Sequence, residues 1–409
     1  MIPLAWDEVV ALELGALDGG GDITGIKADS RDVSAGDLFV ALNAGVAFVA
    51  EARARGAATL VPDYQEAALA ALASLVRSRS DAHVVAVVGS AGKTTTKDIL
   101  GALCAPHAPT IWVEKSLNNE IGLPLTVCRL EPETQILVTE MGMRGLGQIS
   151  ALCEIAQPHI VVVPHIGPEH LELLGNAEAI GSLPAGGTAV VPAHSEALEL
   201  FLTRDDIVLR RFDPDDVDMR DATTSFAVGD ETIRLELPFT QRHLAVNTLA
   251  ALHAFDTLGL PLERAQEGVS GIRLSPWRGE EIALPAGGFV VNDAYNANPD
   301  SMRAALEHLA ERAGDRRKVA ILGQMAELGD ASKTYHREIG ALAADLEIEV
   351  IGVGEPARAY EPVAWAPTAD EALNLARGLI EPGDAVLVKA SRAVGLEGFA
   401  DEIANFARA

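Results

Sequence analysis

Cysteine is scarce. Cys104, Cys128 and Cys153 are an odd set of three, with no CxxC pair and no histidine at ligand spacing, so neither a disulfide framework nor a zinc site is indicated. Long apolar runs are missing too: residues 84–89 and 159–166 stop far short of the ~18 to 20 residues that a membrane span needs. Residues 1–14 carry Asp7, Glu8 and Glu13 but no basic residue, so the charged flank of a signal peptide is lacking and a soluble, cytoplasmic chain is expected. Basic charge is short as well, with 32 Lys and Arg against 59 Asp and Glu for a net charge of -27. That balance argues against nucleic acid or anionic membrane as a general partner. Lysine is the scarcer cation, 7 against 25 arginines, and none occurs between Lys115 and Lys318. No internal repeat or low-complexity tract is found.

What is present is enough apolar residue, 48% of 409, to give each of two or three domains a core at roughly 150 residues per domain. Residues 1–80 mix short apolar runs (37–42 and 57–62) with helical stretches and end in the polar Arg77-Ser78-Arg79-Ser80-Asp81, which reads as a linker. Then short β-branched runs (84–89, 135–140, 159–166 and 187–192) alternate with longer helical segments, the mark of an α/β fold with a mostly parallel sheet. A second boundary falls near 285, in Leu284-Pro285-Ala286-Gly287-Gly288. The rhythm restarts with strands over 288–293, 318–322, 349–353 and 385–389, and with helices over 302–312 and 334–344. The expected domains are 1–80, 81–284 and 285–409.

Gly89-Ser90-Ala91-Gly92-Lys93-Thr94-Thr95 stands between an apolar run and a helical segment, the strand, glycine loop and helix context of a P-loop. Glycines let the backbone wrap a phosphate and the helix N-terminus offers unpaired N–H groups. Lys93 is placed to reach the β and γ oxygens, and the Thr94 hydroxyl can ligate Mg²⁺. The spacing, GxxGKTT, is two residues shorter than the usual GxxxxGK[ST]. Further metal ligands are expected at the carboxyl ends of neighbouring strands, where Glu140 and His170 stand; alone each reads more often as structural, and the P-loop in the same sheet brings the metal reading level.

With these motifs the chain resembles the Mur ligase family, ATP-dependent amide-bond ligases of peptidoglycan precursor synthesis, over nearly its whole length. The carriers are Asp29-Ser30-Arg31, the short P-loop, Asn118-Asn119-Glu120-Ile121-Gly122-Leu123-Pro124, Glu140-Met141-Gly142, Ile166-Gly167-Pro168-Glu169-His170-Leu171 and Arg278-Gly279-Glu280. Asp293-Ala294-Tyr295-Asn296-Ala297-Asn298-Pro299, Glu327-Leu328-Gly329 and Val388-Lys389-Ala390-Ser391-Arg392 complete them. The resemblance implies three domains: one for the UDP moiety, a central ATPase and a Rossmann-like C-terminal domain. It implies UDP-N-acetylmuramoyl-tripeptide and D-alanyl-D-alanine as substrates, ATP and Mg²⁺ as cofactors, an acyl phosphate intermediate and a monomer.

By the same resemblance, Lys93, Glu140, His170 and Arg278 are catalytic, with Thr94, Glu140 and His170 around the metal and Arg278 touching the γ-phosphate. Asn247 is implied at the adenine and Asp293 at the ribose. Ser30 and Arg31 are implied at the UDP moiety, Asn118 and Asn119 in the substrate loop, and Asn296, Asn298 and Ser301 near the dipeptide. Asn247 and Asp293 also read as helix-cap or turn residues.

Some details depart from the family. The family's second Mg²⁺ is bridged by a carbamylated lysine shortly after the His170 motif, and here that stretch runs from Asn176 to Pro184 without lysine. The glycine-rich stretch after Val40-Ala41-Leu42 is also skipped, and both gaps read less as evolutionary loss than as segments absent from these 409 residues, so the whole protein is expected to be longer. Leu244 and Gln324 stand where the family has Asn and Asp. Rival readings are a sibling Mur-type or polyglutamate-type ligase, and a P-loop switch protein that hydrolyses nucleotide without ligation.

Overall fold

Apolar runs that are buried on both faces suit a parallel sheet between helices, and residues 83–212 form one. The structure is a computed structural model that describes residues 1–113, 117–143, 145–167, 170–199, 201–219 and 223–407; the side chains of 170–173 and 196–197 lie outside the description. Six strands run in the order Val208–Phe212, Thr188–Pro192, Ile160–Val162, His83–Val87, Ile136–Glu140 and Thr110–Ile111, every neighbouring pair parallel. The strand that feeds the glycine loop therefore lies inside the sheet. Register sets Val87 against both Glu140 and Val162, so three carboxyl ends finish at one level, where open α/β sheets bind their ligands.

The helices Gln65–Arg77, Gly122–Val127 and Gln148–Ala156 pack together on this unit. Leu69, Leu72, Val84, Leu123, Leu137 and Leu152 share one core, each contributing about 1.5–3 kcal/mol by leaving water. Ahead of it, Gly15–Asp18, Ala58–Pro62, Asp37–Val40 and Gly25–Lys27 make a four-stranded sheet, antiparallel only at its first pair, and Leu38 and Leu60 join the same core. The chain divides into two compact units, Met1–Thr240 with Leu244–Arg273, and Gln241–His243 with Leu274–Ala409.

The second unit holds a sheet in the order Glu280–Ala283, Phe289–Asn292, Ala385–Lys389, Lys318–Leu322, Ile348–Val353 and Ala364–Ala366, parallel except at its first pair. Its continuous apolar strands serve two cores by turns. Val290, Ile321, Ile351 and Val388 face one core, and Val291, Leu322, Val350 and Leu387 the other.

Three features differ from the sequence expectation. The run 159–166 gives only the short strand Ile160–Val162, because Pro164 has no N–H for the ladder and the chain leaves it as a loop. An antiparallel trio, Val217–Asp218, Thr224–Val228 and Glu231–Leu235, was not anticipated. Arg77 is no linker residue: it ends its helix 5% exposed, with Nε donating to Ala156 O at 2.8 Å, Nη1 to Ser80 O at 2.6 Å and Nη2 to Gln157 O at 3.5 Å. It thereby caps the carbonyl end of Gln148–Ala156.

At the two positions where family segments are missing, short local structure joins the flanking elements. Residues 43–48 form a short 3-10 turn directly before Val49–Ala54. The helix His170–Gly181 closes through Ser182 N to Glu178 O (3.0 Å) and Gly187 N to Pro184 O (2.9 Å) before Thr188–Pro192. Among the described residues no helix is long and apolar enough to cross a membrane.

Arg77→Met removes the donor that three carbonyls share, and should lower stability by about 2–3 kcal/mol, read as a lower urea midpoint at unchanged m-value. A loss within about 0.5 kcal/mol would return residues 77–81 to the status of a solvated linker.

Candidate functional site

Gly89 turns the chain out of the central strand at φ 115°, and Gly92, at φ 78°, is the N-cap of the helix Lys93–Cys104. A Cβ at Gly89 would lie 2.7 Å from the His165 carbonyl oxygen, and one at Gly92 2.4 Å from Asn247 Oδ1. Both positions therefore require glycine, and what they leave is a backbone cradle opening on a helix N-terminus, a ready anion site. Lys93 Nζ donates to the Gly89 carbonyl, which keeps the ammonium on the loop. Thr94 and Thr95 are buried in the first helical turn.

The loop is laced to the segment that precedes His170. Ser90 N donates to His165 O (3.1 Å), Gly167 N donates to Ser90 Oγ (2.6 Å), and Ser90 Oγ lies 3.1 Å from His165 Nδ1. His170 opens its helix, but its side chain, with Pro168 and Glu169, is outside the described residues.

Glu140 ends its strand 3% exposed, and Asn118 Nδ2 donates to its Oε1 at 2.8 Å; Gly142 N to Asn118 O, 2.8 Å, holds that pair in place. Asn119 is used differently, its Oδ1 accepting from Gly122 N at 2.9 Å at the start of Gly122–Val127. Ser30 and Arg31 lie on a 3-10 turn between two strands of the first sheet. Ser30 is buried, while Arg31 is exposed and paired with Asp29 at 2.5 Å, a contact that holds the Asp29 carboxyl down at about 2.

Thr94 and Glu140 offer a hydroxyl and a carboxylate, the oxygen donors that suit a hard cation. No cluster of three or more His, Cys, Asp and Glu side chains able to hold a metal occurs among the described residues. A Mg²⁺ here would complete its shell from phosphate and water, as that ion prefers. A second cation bridged by lysine does not fit, since residues 116–317 contain no lysine.

In the second unit, Lys389 ends its strand 2% exposed, with Nζ 2.5 Å from Asp293 Oδ2 and 3.0 Å from the Asn296 carbonyl. Ser391 Oγ donates to Ala297 O (3.2 Å) and accepts from Ala326 N (2.8 Å). One strand end therefore fixes the loops at 293–297 and 324–326. Asn298 and Ser301 cap the helix Pro299–Ala313 reciprocally: Ser301 N donates to Asn298 Oδ1 at 2.9 Å and Asn298 N to Ser301 Oγ at 3.0 Å. The Asn296 side chain is exposed, and the Arg278 guanidinium stacks 4.1 Å above the Tyr295 ring.

Asn247 is not a helix cap, since it lies within the helix Arg242–Thr257 beside Gly92, while Asp293 stands at the turn after its strand and is ion-paired with Lys389. Lys389 and His165 have no role in the sequence expectation. Lys389 had one legible signal, a rare lysine ending a buried strand.

Burial holds the His243 imidazole down at about 4, with Lys389 and His308 pushing the same way and Asp293 opposing. The folded chain then takes up this proton far less readily than an unfolded one, whose histidine titrates near 6.5. Stability should fall as pH drops from about 6.5 to 4, by roughly 2–3 kcal/mol from this residue. His243→Gln should shrink the difference between urea midpoints at pH 7 and pH 4.5; an unchanged difference would contradict the assignment.

Comparison with known proteins agrees with this geometry. The Mur ligase middle domain matches residues 87–255, and the Mur ligase glutamate ligase domain matches residues 277–392. The UDP-N-acetylmuramoyl-tripeptide–D-alanyl-D-alanine ligase of Synechocystis sp. is 31% identical over 91% of this chain and 90% of its own. A crystal structure of MurF from Acinetobacter baumannii superposes with a TM-score of 0.84 at 27% identity, covering 98% of this chain and 99% of that one. MurF ligase from Thermotoga maritima in complex with ADP gives 0.81 at 26% identity, over 94% and 98%. The chain belongs to the Mur ligase family, on the branch whose members are named UDP-N-acetylmuramoyl-tripeptide–D-alanyl-D-alanine ligase.

Proposed function

We propose that this chain is an ATP-dependent ligase that joins D-alanyl-D-alanine to UDP-N-acetylmuramoyl-tripeptide in peptidoglycan precursor synthesis, releasing ADP and phosphate. The observation that carries the reading is the glycine cradle with Lys93 at a helix N-terminus, on the strand next to the one that ends in Glu140.

The tripeptide's terminal carboxylate oxygen attacks the γ-phosphorus, the bond to the β-γ bridging oxygen breaks, and ADP leaves with that electron pair. The dipeptide amine then adds to the acyl carbon, phosphate departs from the tetrahedral intermediate, and the amine proton passes to solvent. Such phosphoryl transfer depends mostly on positioning and on neutralising charge. The amides at 89–95 and Lys93 hold the phosphates. Thr94, Glu140 and His170 would hold Mg²⁺, which supplies further neutralisation of phosphate charge. Asn118 orients Glu140 through the bond between them. Arg278 is assigned a γ-phosphate contact, Asn247 the adenine, Asp293 the ribose, and Ser30 and Arg31 the UDP moiety. Asn119, Asn296, Asn298 and Ser301 are assigned to the peptide substrates, with Asn119, Asn298 and Ser301 acting through the loops they cap.

We assign an N-terminal domain to residues 1–80, a central domain from residue 81, and a C-terminal domain that takes in the strand Glu280–Ala283 ahead of the expected start at 285, with a monomer in the cytoplasm as the working form. Phosphate release should require ATP, the UDP-tripeptide and the dipeptide together. Turnover without the dipeptide would instead support a nucleotide-hydrolysing switch, and turnover with a single amino acid in its place a sibling ligase. Lys93→Ala should lower phosphate release by about a thousandfold while leaving UDP-tripeptide binding intact. Loss of both together would contradict separate nucleotide and UDP sites.

A further inference from the structure

The helix His170–Gly181 carries a buried polar group that the reaction scheme does not use. Asn176 is 2% exposed, and among the described residues its Nδ2 has no hydrogen-bond partner. A buried amide without a partner costs about 1–3 kcal/mol, so a position that keeps one calls for an explanation. The neighbouring Glu178 has partners, its carboxylate accepting from Gly147 N at 2.8 Å and Ser150 N at 3.2 Å.

Asn176 lines a cavity of about 10 Å³ together with Gly89, Lys93, Gly142 and Gly175. That is room for about one atom the size of a water oxygen. Gly175 keeps the helix close to this spot, since a Cβ there would meet Met143 Sδ at 2.1 Å. The helix backbone therefore fixes the amide near the strand end at Glu140 rather than letting it swing away. The cavity is bounded by the glycine loop on one side and by the residues after Glu140 on the other. In the ATP reading given above, the amides of the loop and the helix start are the partners expected for the α and β phosphates. The γ-phosphoryl group would then extend past them toward this cavity.

We propose that Asn176 is a phosphate-contacting residue, its Nδ2 donating a hydrogen bond to a γ-phosphoryl oxygen seated in this cavity beside Lys93. This rests on the ATP reading given above. The bond adds a neutral donor where the chain has few cations, and it is available only to a nucleotide that has a third phosphate. Asn176 therefore discriminates ATP from ADP.

The test is calorimetric titration of ADP and of a non-hydrolysable ATP analogue, each with Mg²⁺, into the wild-type chain, Asn176→Leu and Asn176→Asp. Leucine is nearly isosteric and removes the buried donor, so the thermal midpoint should hold or rise and a folded protein is available for titration. The analogue should bind about tenfold more weakly to Asn176→Leu, and more weakly still to Asn176→Asp, where a carboxylate faces the phosphate, with ADP changed less than about twofold. Equal losses for both nucleotides, or none for either, would overturn the proposal. A lowered thermal midpoint with unchanged nucleotide affinities would also overturn it, since Asn176 would then be serving a buried water. A wild-type chain that binds neither nucleotide would overturn the ATP reading itself, and this assignment with it.

Discussion

The pairing of Val87 with both Glu140 and Val162 is the constraint on which the site depends. Register in a parallel sheet is set by the buried side chains of each strand, and a slip of one residue would turn those side chains to the opposite face. Here Val84 and Ala86, Leu137 and Val161 all belong to one core, so a slip of the ladder would replace them there with the residues now packed on the opposite face. The consequence is chemical. The glycine loop, Glu140 and the segment leading to His170 leave the sheet at a common level, and Ser90 ties the first to the third through His165 and Gly167.

The charge balance sharpens how such a site works. A chain of net charge -27 repels the anions it is proposed to bind, so attraction must be local. Backbone N–H groups at a helix start serve that purpose without adding a titratable group. The scarce lysines are placed accordingly: Lys93 lies on the loop, and Lys389 is buried against Asp293. Among the described residues arginine makes most of the surface ion pairs, such as Arg55 with Glu51 and Arg211 with Glu199. An ammonium is a compact point charge suited to one phosphate or one carboxylate, whereas the guanidinium fork suits exposed bidentate pairs.

Much of this was legible in the sequence. The strands at 318–322 and 385–389 appear at the expected positions, and the glycine loop stands between a strand and a helix as its motif requires. The legible features are those in which local composition and tertiary role agree, namely continuous β-branched runs and glycines needed for positive φ. What was missed depends on partners far along the chain. Arg77 looked like part of a polar linker because its partners, the carbonyls of residues 156 and 157, lie some eighty positions away. The strand Thr224–Val228 alternates buried and half-buried positions, a weaker pattern than a fully apolar run. Asn118 and Asn119 are adjacent and alike in type, yet one meets Glu140 and the other starts a helix. No spacing argument separates them, because the difference comes from the direction of the chain as it enters Gly122–Val127.

The central claim is that the cradle at residues 89–95 holds the phosphates of ATP. A crystal structure with a non-hydrolysable ATP analogue and Mg²⁺ tests it most directly. The phosphates are expected within hydrogen-bonding distance of those backbone amides, with Lys93 Nζ moved from the Gly89 carbonyl to the β and γ oxygens and a single Mg²⁺ on Thr94 and Glu140. Nucleotide bound elsewhere, with Lys93 still on the Gly89 carbonyl, would contradict the account.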